Sequence, residues 1–83
     1  MKSVYRPEYK LMIETLRAVR EGKGVTQTEL SSRMGENYDQ TIISKIESFE
    51  RRMDLIELWD YASALGIPFL KLVKRIEAAI QKS

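Results

Sequence analysis

The sequence predicts an all-α fold of five helices, the last of them an extended C-terminal helix, and three observations carry that prediction. Apolar residues recur every three or four positions through most of the chain. No stretch of useful length alternates apolar and polar residues as a strand would. Capping residues and glycines fall at the ends of the periodic segments, where helices start and stop.

The first helix is expected from Arg6 or Pro7, since proline costs no hydrogen bond in a first turn, to about Glu21, ahead of Gly22 and Gly24. Its buried stripe is Tyr9, Met12, Ile13, Leu16 and Val19. A second, short helix follows a capping-box pattern of Thr26 and Glu29 and ends near Met34 and Gly35, with Val25, Leu30 and Met34 facing inward. Glu36, Asn37 and Tyr38 form a turn, and Asp39 caps a third helix through about Ser48.

On that third helix, steps of about 100° per residue place Gln40, Thr41, Ser44, Lys45 and Ser48 in one polar arc. Ile42, Ile43, Ile46 and Phe49 fall opposite, so one face packs while the other stays free. A fourth helix starts after Asp54, presents Leu55, Leu58, Trp59, Ala62 and Leu65, and stops at Gly66. Ile67 and Pro68 open a fifth, over about residues 68–82.

One domain is expected over residues 1–83, with its core in about 6–72, because a chain of this size cannot divide into two cores. Hydrophobic residues at 43% and charged residues at 31% are ordinary globular values. With no Cys and no His, disulfides, thiolate nucleophiles, the usual zinc sites and histidine acid–base chemistry are excluded. No phosphate-cradling glycine loop, carboxylate-pair cleft or nucleophile elbow is legible either, so no enzyme, metal or cofactor is expected. There is no run of 18 apolar residues and no leader-like N-terminus, so the expected location is cytoplasmic, at the nucleoid, without membrane contact. Net charge is +2, distributed as +3 over residues 1–23, −4 over 24–66 and +3 over 67–83. Any nucleic-acid affinity therefore has to come from placed contacts and not from a general basic field.

A short capped helix, a glycine-containing turn and a second helix with an exposed polar arc follow the order of a helix-turn-helix reader. The segments Leu16-Arg17-Ala18-Val19-Arg20, Val25-Thr26-Gln27-Thr28-Glu29-Leu30, Thr41-Ile42-Ile43-Ser44-Lys45-Ile46-Glu47, Arg51-Arg52-Met53-Asp54 and Ala62-Ser63-Ala64-Leu65-Gly66 resemble the XRE-type, lambda-repressor-like DNA-binding family over roughly residues 11–72. Two departures stand out. The turn after Met34 is about two residues longer than the family's common form, and Phe49 stands where that family usually has glycine. Phe49 then either takes a left-handed backbone or the helix exits differently.

The resemblance implies a sequence-specific regulator of transcription, a repressor binding double-stranded DNA. Gln40, Thr41, Ser44 and Lys45 would read bases; their amide, hydroxyl and ammonium groups suit adenine, thymine and guanine edges. Gln27, Arg51 and Arg52 would contact phosphates, and Arg20 with Glu47 would form a structural ion pair. On the extended last helix, Phe69, Leu72, Val73, Ile76, Ala79 and Ile80 share an arc of about 120°. Ile76 and Ile80 are expected to find no cover within the chain, which makes Val73, Ile76 and Ile80 the expected homodimer interface for an inverted-repeat operator. The alternative is a protein-binding helical module, an antitoxin or adaptor component, favoured by the acidic middle segment; no particular protein partner is legible.

Overall fold

The computed structural model describes residues 6–83, which form five helices and no strand; residues 1–5 of the expected domain lie outside the described residues. Helix α1 is Pro7–Gly22, α2 Gln27–Met34, α3 Gln40–Glu47, α4 Leu55–Leu65 and α5 Phe69–Lys82. Each start has a local cause. Pro7 opens α1, Thr26 and Asp54 close capping boxes with Glu29 and Glu57, and the Asp39 carboxylate accepts from the Ile42 amide at 2.8 Å.

Three helices end the same way. After α1, α3 and α4 a left-handed residue follows within two places of the last helical residue, namely Gly24 (φ 70°), Phe49 (φ 67°) and Gly66 (φ 70°). In each, the next amide returns to a carbonyl five residues back, as from Val25 to Arg20, Glu50 to Lys45 and Ile67 to Ala62. Two glycines meet that geometry freely; Phe49 meets it while its half-buried ring packs on the core. The open question at Phe49 is thus answered by the left-handed backbone.

One core joins the helices, with Ile13, Leu16, Leu30, Ile43, Ile46, Tyr61, Ala62 and Leu72 at its centre. Helix α5 lies antiparallel along α1, so that Tyr9 and Met12 near the start of α1 meet Ile76 and Ile80 near the end of α5. Sixteen and fourteen helical residues span about 24 and 21 Å, so α5 is nearly as long as the helix it packs along.

That packing overturns the expectation that Ile76 and Ile80 lack cover within the chain. Ile76 is 7% exposed and belongs to the core, and Ile80 and Val73 are half-buried against it. The left-handed Gly66 and extended Pro68 reverse the chain between α4 and α5, returning the stripe to its own domain. A second correction concerns α4: Leu55 and Trp59 are 66% and 54% exposed, and the fully buried large side chain is Tyr61.

Candidate nucleic-acid interface

The α2–turn–α3 unit is built from both ends. The Thr26 hydroxyl accepts from the Glu29 amide and the Glu29 carboxylate accepts from the Thr26 amide, each at 3.0 Å, which satisfies two donors at the start of α2. The longer turn over residues 35–39 passes through Gly35 at φ 113°. Tyr38 ties it down: its amide donates to the Gly35 carbonyl at 3.1 Å and its hydroxyl to Asp60 of α4 at 2.7 Å. Burial and the bond to Asp60 hold this phenol above its ordinary pKa.

Helix α3 buries Ile43 and Ile46 completely and leaves Gln40, Thr41 and Lys45 exposed, with Ser44 half-buried between them. Lys45 forms no ion pair among the described residues. The exposed edge of α3 therefore carries an amide, a hydroxyl and an unneutralised ammonium within about one and a half turns.

Behind that edge lies a buried polar cluster centred on Glu47, which is 4% exposed. The Arg20 guanidinium meets its carboxylate in a two-pronged pair, Nε to Oε2 at 2.8 Å and Nη2 to Oε1 at 2.7 Å. The third prong, Nη1, donates to the Val25 carbonyl at 2.6 Å and so fixes the loop before α2. Gln27 Nε2 donates to Oε1 at 3.0 Å and the Tyr61 hydroxyl to Oε2 at 2.8 Å, with the Leu16 carbonyl 3.2 Å from that hydroxyl. Burial pushes the Glu47 carboxyl up, yet the bonds from Arg20, Gln27 and Tyr61, with the Arg20 charge, outweigh it and hold the group below its usual range. The bond to Glu47 likewise raises the Arg20 guanidinium, against the opposing effect of burial. Tyr61, desolvated and facing a carboxylate, is held above its ordinary range and stays a donor.

From Glu47 the cluster reaches the surface. Gln27 Oε1 accepts from Gln40 Nε2 at 2.8 Å, so Arg20, Glu47, Gln27 and Gln40 form one chain of hydrogen bonds from α1 through α3 and α2 to the first residue of the exposed arc. Tyr61 was absent from the sequence reading. A helical wheel of α4 centred on Leu58, Ala62 and Leu65 would have found its position, but nothing in the chain says that a phenol there faces a carboxylate.

The two arginines after α3 differ. Arg51 is half-buried, its Nη2 donating to Glu57 Oε2 at 2.8 Å, while the other Glu57 oxygen accepts from the Asp54 amide at 3.0 Å. Its charge is therefore spent on the cap of α4. Arg52 is exposed and has no ion pair among the described residues. Among those residues no group of His, Cys, Asp or Glu is arranged to hold a metal ion, and no helix is long and apolar enough to cross a membrane.

Comparison with known proteins adds three likenesses. A helix-turn-helix family model matches residues 16–72. A relative from Sinorhizobium fredii (strain NBRC 101917 / NGR234), described as an uncharacterized HTH-type transcriptional regulator y4dJ, is 34% identical over 64 residues, 77% of this chain and 80% of that protein. A solved structure, described as an XRE-family like protein from Pseudomonas syringae pv. tomato str. DC3000, has a TM-score of 0.78 and 34% identity, covering 93% of this chain and 94% of that one.

Proposed function

The chain belongs to the XRE-type helix-turn-helix family of transcriptional regulators, which is DNA-binding and non-enzymatic, and from that premise we propose that it represses transcription by binding an inverted-repeat operator as a homodimer. Helix α3 enters the major groove with Gln40, Thr41, Ser44 and Lys45 toward the base edges. Gln40 pairs with adenine through its donor and acceptor, Thr41 offers a hydroxyl and a methyl to thymine, and Lys45 donates to guanine. Gln27, whose amide still has one N–H unused by Glu47, donates to a phosphate at the start of α2, where free backbone amides favour an anion. Arg52 supplies a second phosphate contact, and Arg51 assists only through the loop it anchors.

The observation that carries this reading is the chain of hydrogen bonds ending at Gln40. It holds an exposed side chain in one orientation before any partner arrives, and a preoriented amide discriminates among bases better than a freely rotating one. The dimer follows from information content, since one eight-residue helix contacts too few base pairs to single out a site in a genome.

Selection of bound sequences from a random duplex pool tests the reading. A two-fold symmetric consensus, with affinity falling steeply as salt rises, is the expected result. An unenriched pool at moderate salt would overturn it in favour of a protein-binding role.

A further inference from the structure

Where α5 runs back along α1, a groove of about 380 Å³ opens between them, lined by Thr15, Ala18, Arg75, Ala78, Ala79 and Lys82. Arg75 also borders a second hollow, of about 160 Å³, with Lys23 and Lys71 on its rim. The floor is apolar: the Thr15 hydroxyl is turned to the Leu11 carbonyl at 2.7 Å, which leaves its methyl, with those of the three alanines, for contact. The rim is cationic. Neither hollow has a carboxylate in its lining, and none of Lys23, Lys71, Arg75 and Lys82 is in an ion pair among the described residues, although the chain holds 12 Asp and Glu. At about 100° per residue, Lys71, Arg75, Ala78 and Lys82 fall within an arc of about 60°, and Glu77, the one acid of α5, stands at least about 120° from each of these cations.

Helix stability does not account for these charges. Lys23 and Lys82 lie at helix C-termini, where a cation is favoured, but Lys71 lies in the first turn of α5, where the helix dipole opposes it and no acid is present. Lys71 and Arg75, four residues apart, also repel each other. A local conflict of this kind is expected at a site that acts on something outside the fold.

We propose that the α1–α5 groove binds an acidic segment of another polypeptide, with its carboxylates on Lys23, Lys71, Arg75 and Lys82 and its small apolar side chains on the alanine floor. The cations from Lys71 to Lys82 are spread over about 16 Å of helix and do not converge, so a small anion reaches only one or two of them. A nucleic-acid backbone has phosphates for the rim but nothing apolar for the floor, and a duplex is wider than the roughly 8–10 Å between packed helix axes. An amphipathic acidic segment meets both rim and floor. The groove also faces away from the reading helix: on α1, Thr15 and Ala18 stand about 140–160° round the helix from Arg20, which reaches α3 through Glu47. A chain seated on the operator proposed above would keep the groove open, and the groove does not depend on that operator.

A fluorescein-labelled peptide of about four helical turns, with glutamates on one face and alanine and leucine on the other, tests the proposal beside a counterpart carrying glutamine for each glutamate. Anisotropy at low salt and amide chemical shifts of the full chain give the readout. The acidic peptide should shift the amides of Thr15, Ala18, Ala78 and Ala79, and the glutamine peptide should bind about tenfold or more weakly. Lys71→Gln with Arg75→Gln should weaken the acidic peptide by about fivefold or more. Ala78→Gln, which narrows the groove with no change of charge, should weaken it as well. All three positions are exposed and glutamine is a good helix former, so the helical circular-dichroism signal should persist. Equal binding of the two peptides, or none, overturns the proposal, as do shifts confined to Gln40, Lys45 and Arg52, which would make the peptide a mimic of DNA at the reading edge. A folded double variant that binds the acidic peptide unchanged overturns it too. So does one that loses as much affinity for a non-operator duplex as for the peptide, since the groove would then serve phosphates. Should the variant unfold, the two peptides and the shift map on the wild-type chain decide. Groove shifts with the acidic peptide, in a protein that enriches no duplex sequence, support the groove and overturn the operator reading alone.

Discussion

The side-chain amide of Gln40 donates to the side-chain oxygen of Gln27 across 2.8 Å, joining the first residue of α3 to the first residue of α2. Gln27 in turn donates to Glu47, so the orientation of an exposed side chain depends on a buried carboxylate. Under the proposed function, binding and stability are linked through the same few groups.

The Gln40→Ala variant should lose about 1–3 kcal/mol at particular operator positions while leaving helical content unchanged. Adding Gln27→Ala should cost less than the two separate losses combined, because each supports the other; a coupling of about 0.5–2 kcal/mol is expected. Binding measured across a panel of single-base operator variants checks both, and strict additivity would mean that the bond has no part in recognition.

Removing one side of the buried ion pair strands the other. Arg20→Met should destabilise the fold by about 3–5 kcal/mol in urea titration, since Glu47 would retain only Gln27 and Tyr61 as donors in an apolar setting. A loss below about 1 kcal/mol would show that water reaches the carboxylate.

Glu47 also sets a pH dependence. Its folded pKa lies below the unfolded value, so its contribution is fully present above the unfolded carboxylate pKa of about 4.3 and disappears as pH falls through the lowered folded value. Urea midpoints should therefore decline on acidification below about pH 5, and the decline should be shallower in Glu47→Gln, already weaker at neutral pH. An identical slope in the two proteins would assign acid sensitivity to other carboxylates.

Phe49 separates backbone strain from packing. A β-branched residue in left-handed backbone costs about 1–3 kcal/mol, whereas glycine is free of that strain. Phe49→Val should thus be less stable than Phe49→Gly although valine keeps more apolar surface, and thermal unfolding of the pair gives the order directly. Were the loss of ring packing the larger effect, valine would be the more stable of the two.

The two neighbouring arginines should diverge. Arg52→Gln should weaken binding to all sequences nearly equally and reduce the salt slope by about 1, while Arg51→Gln should lower stability through the α4 cap with a smaller change in slope. Equal slope changes would mean that Arg51 leaves Glu57 when DNA binds.

Helix starts and stops were legible in the sequence because they rest on neighbours within four residues: Thr26 with Glu29, Asp39 with Ile42, Gly66 after Leu65. The polar arc of α3 was legible for the same reason, since a helical period alone fixes which residues share a face. What the chain could not disclose was how faces meet. Ile76 and Trp59 both belong to apolar-periodic stripes, yet one is 7% and the other 54% exposed, because the reversal through Gly66 and Pro68 lays α5 along α1 and leaves a flank of α4 open. Tyr61, 14 residues from Glu47, becomes its donor, and Gln27 meets Gln40 over 13, by the same tertiary route. Local hydrogen bonding is determined within a turn of helix and so by sequence; burial, and the bonds that burial makes obligatory, depend on which helix lies across the way.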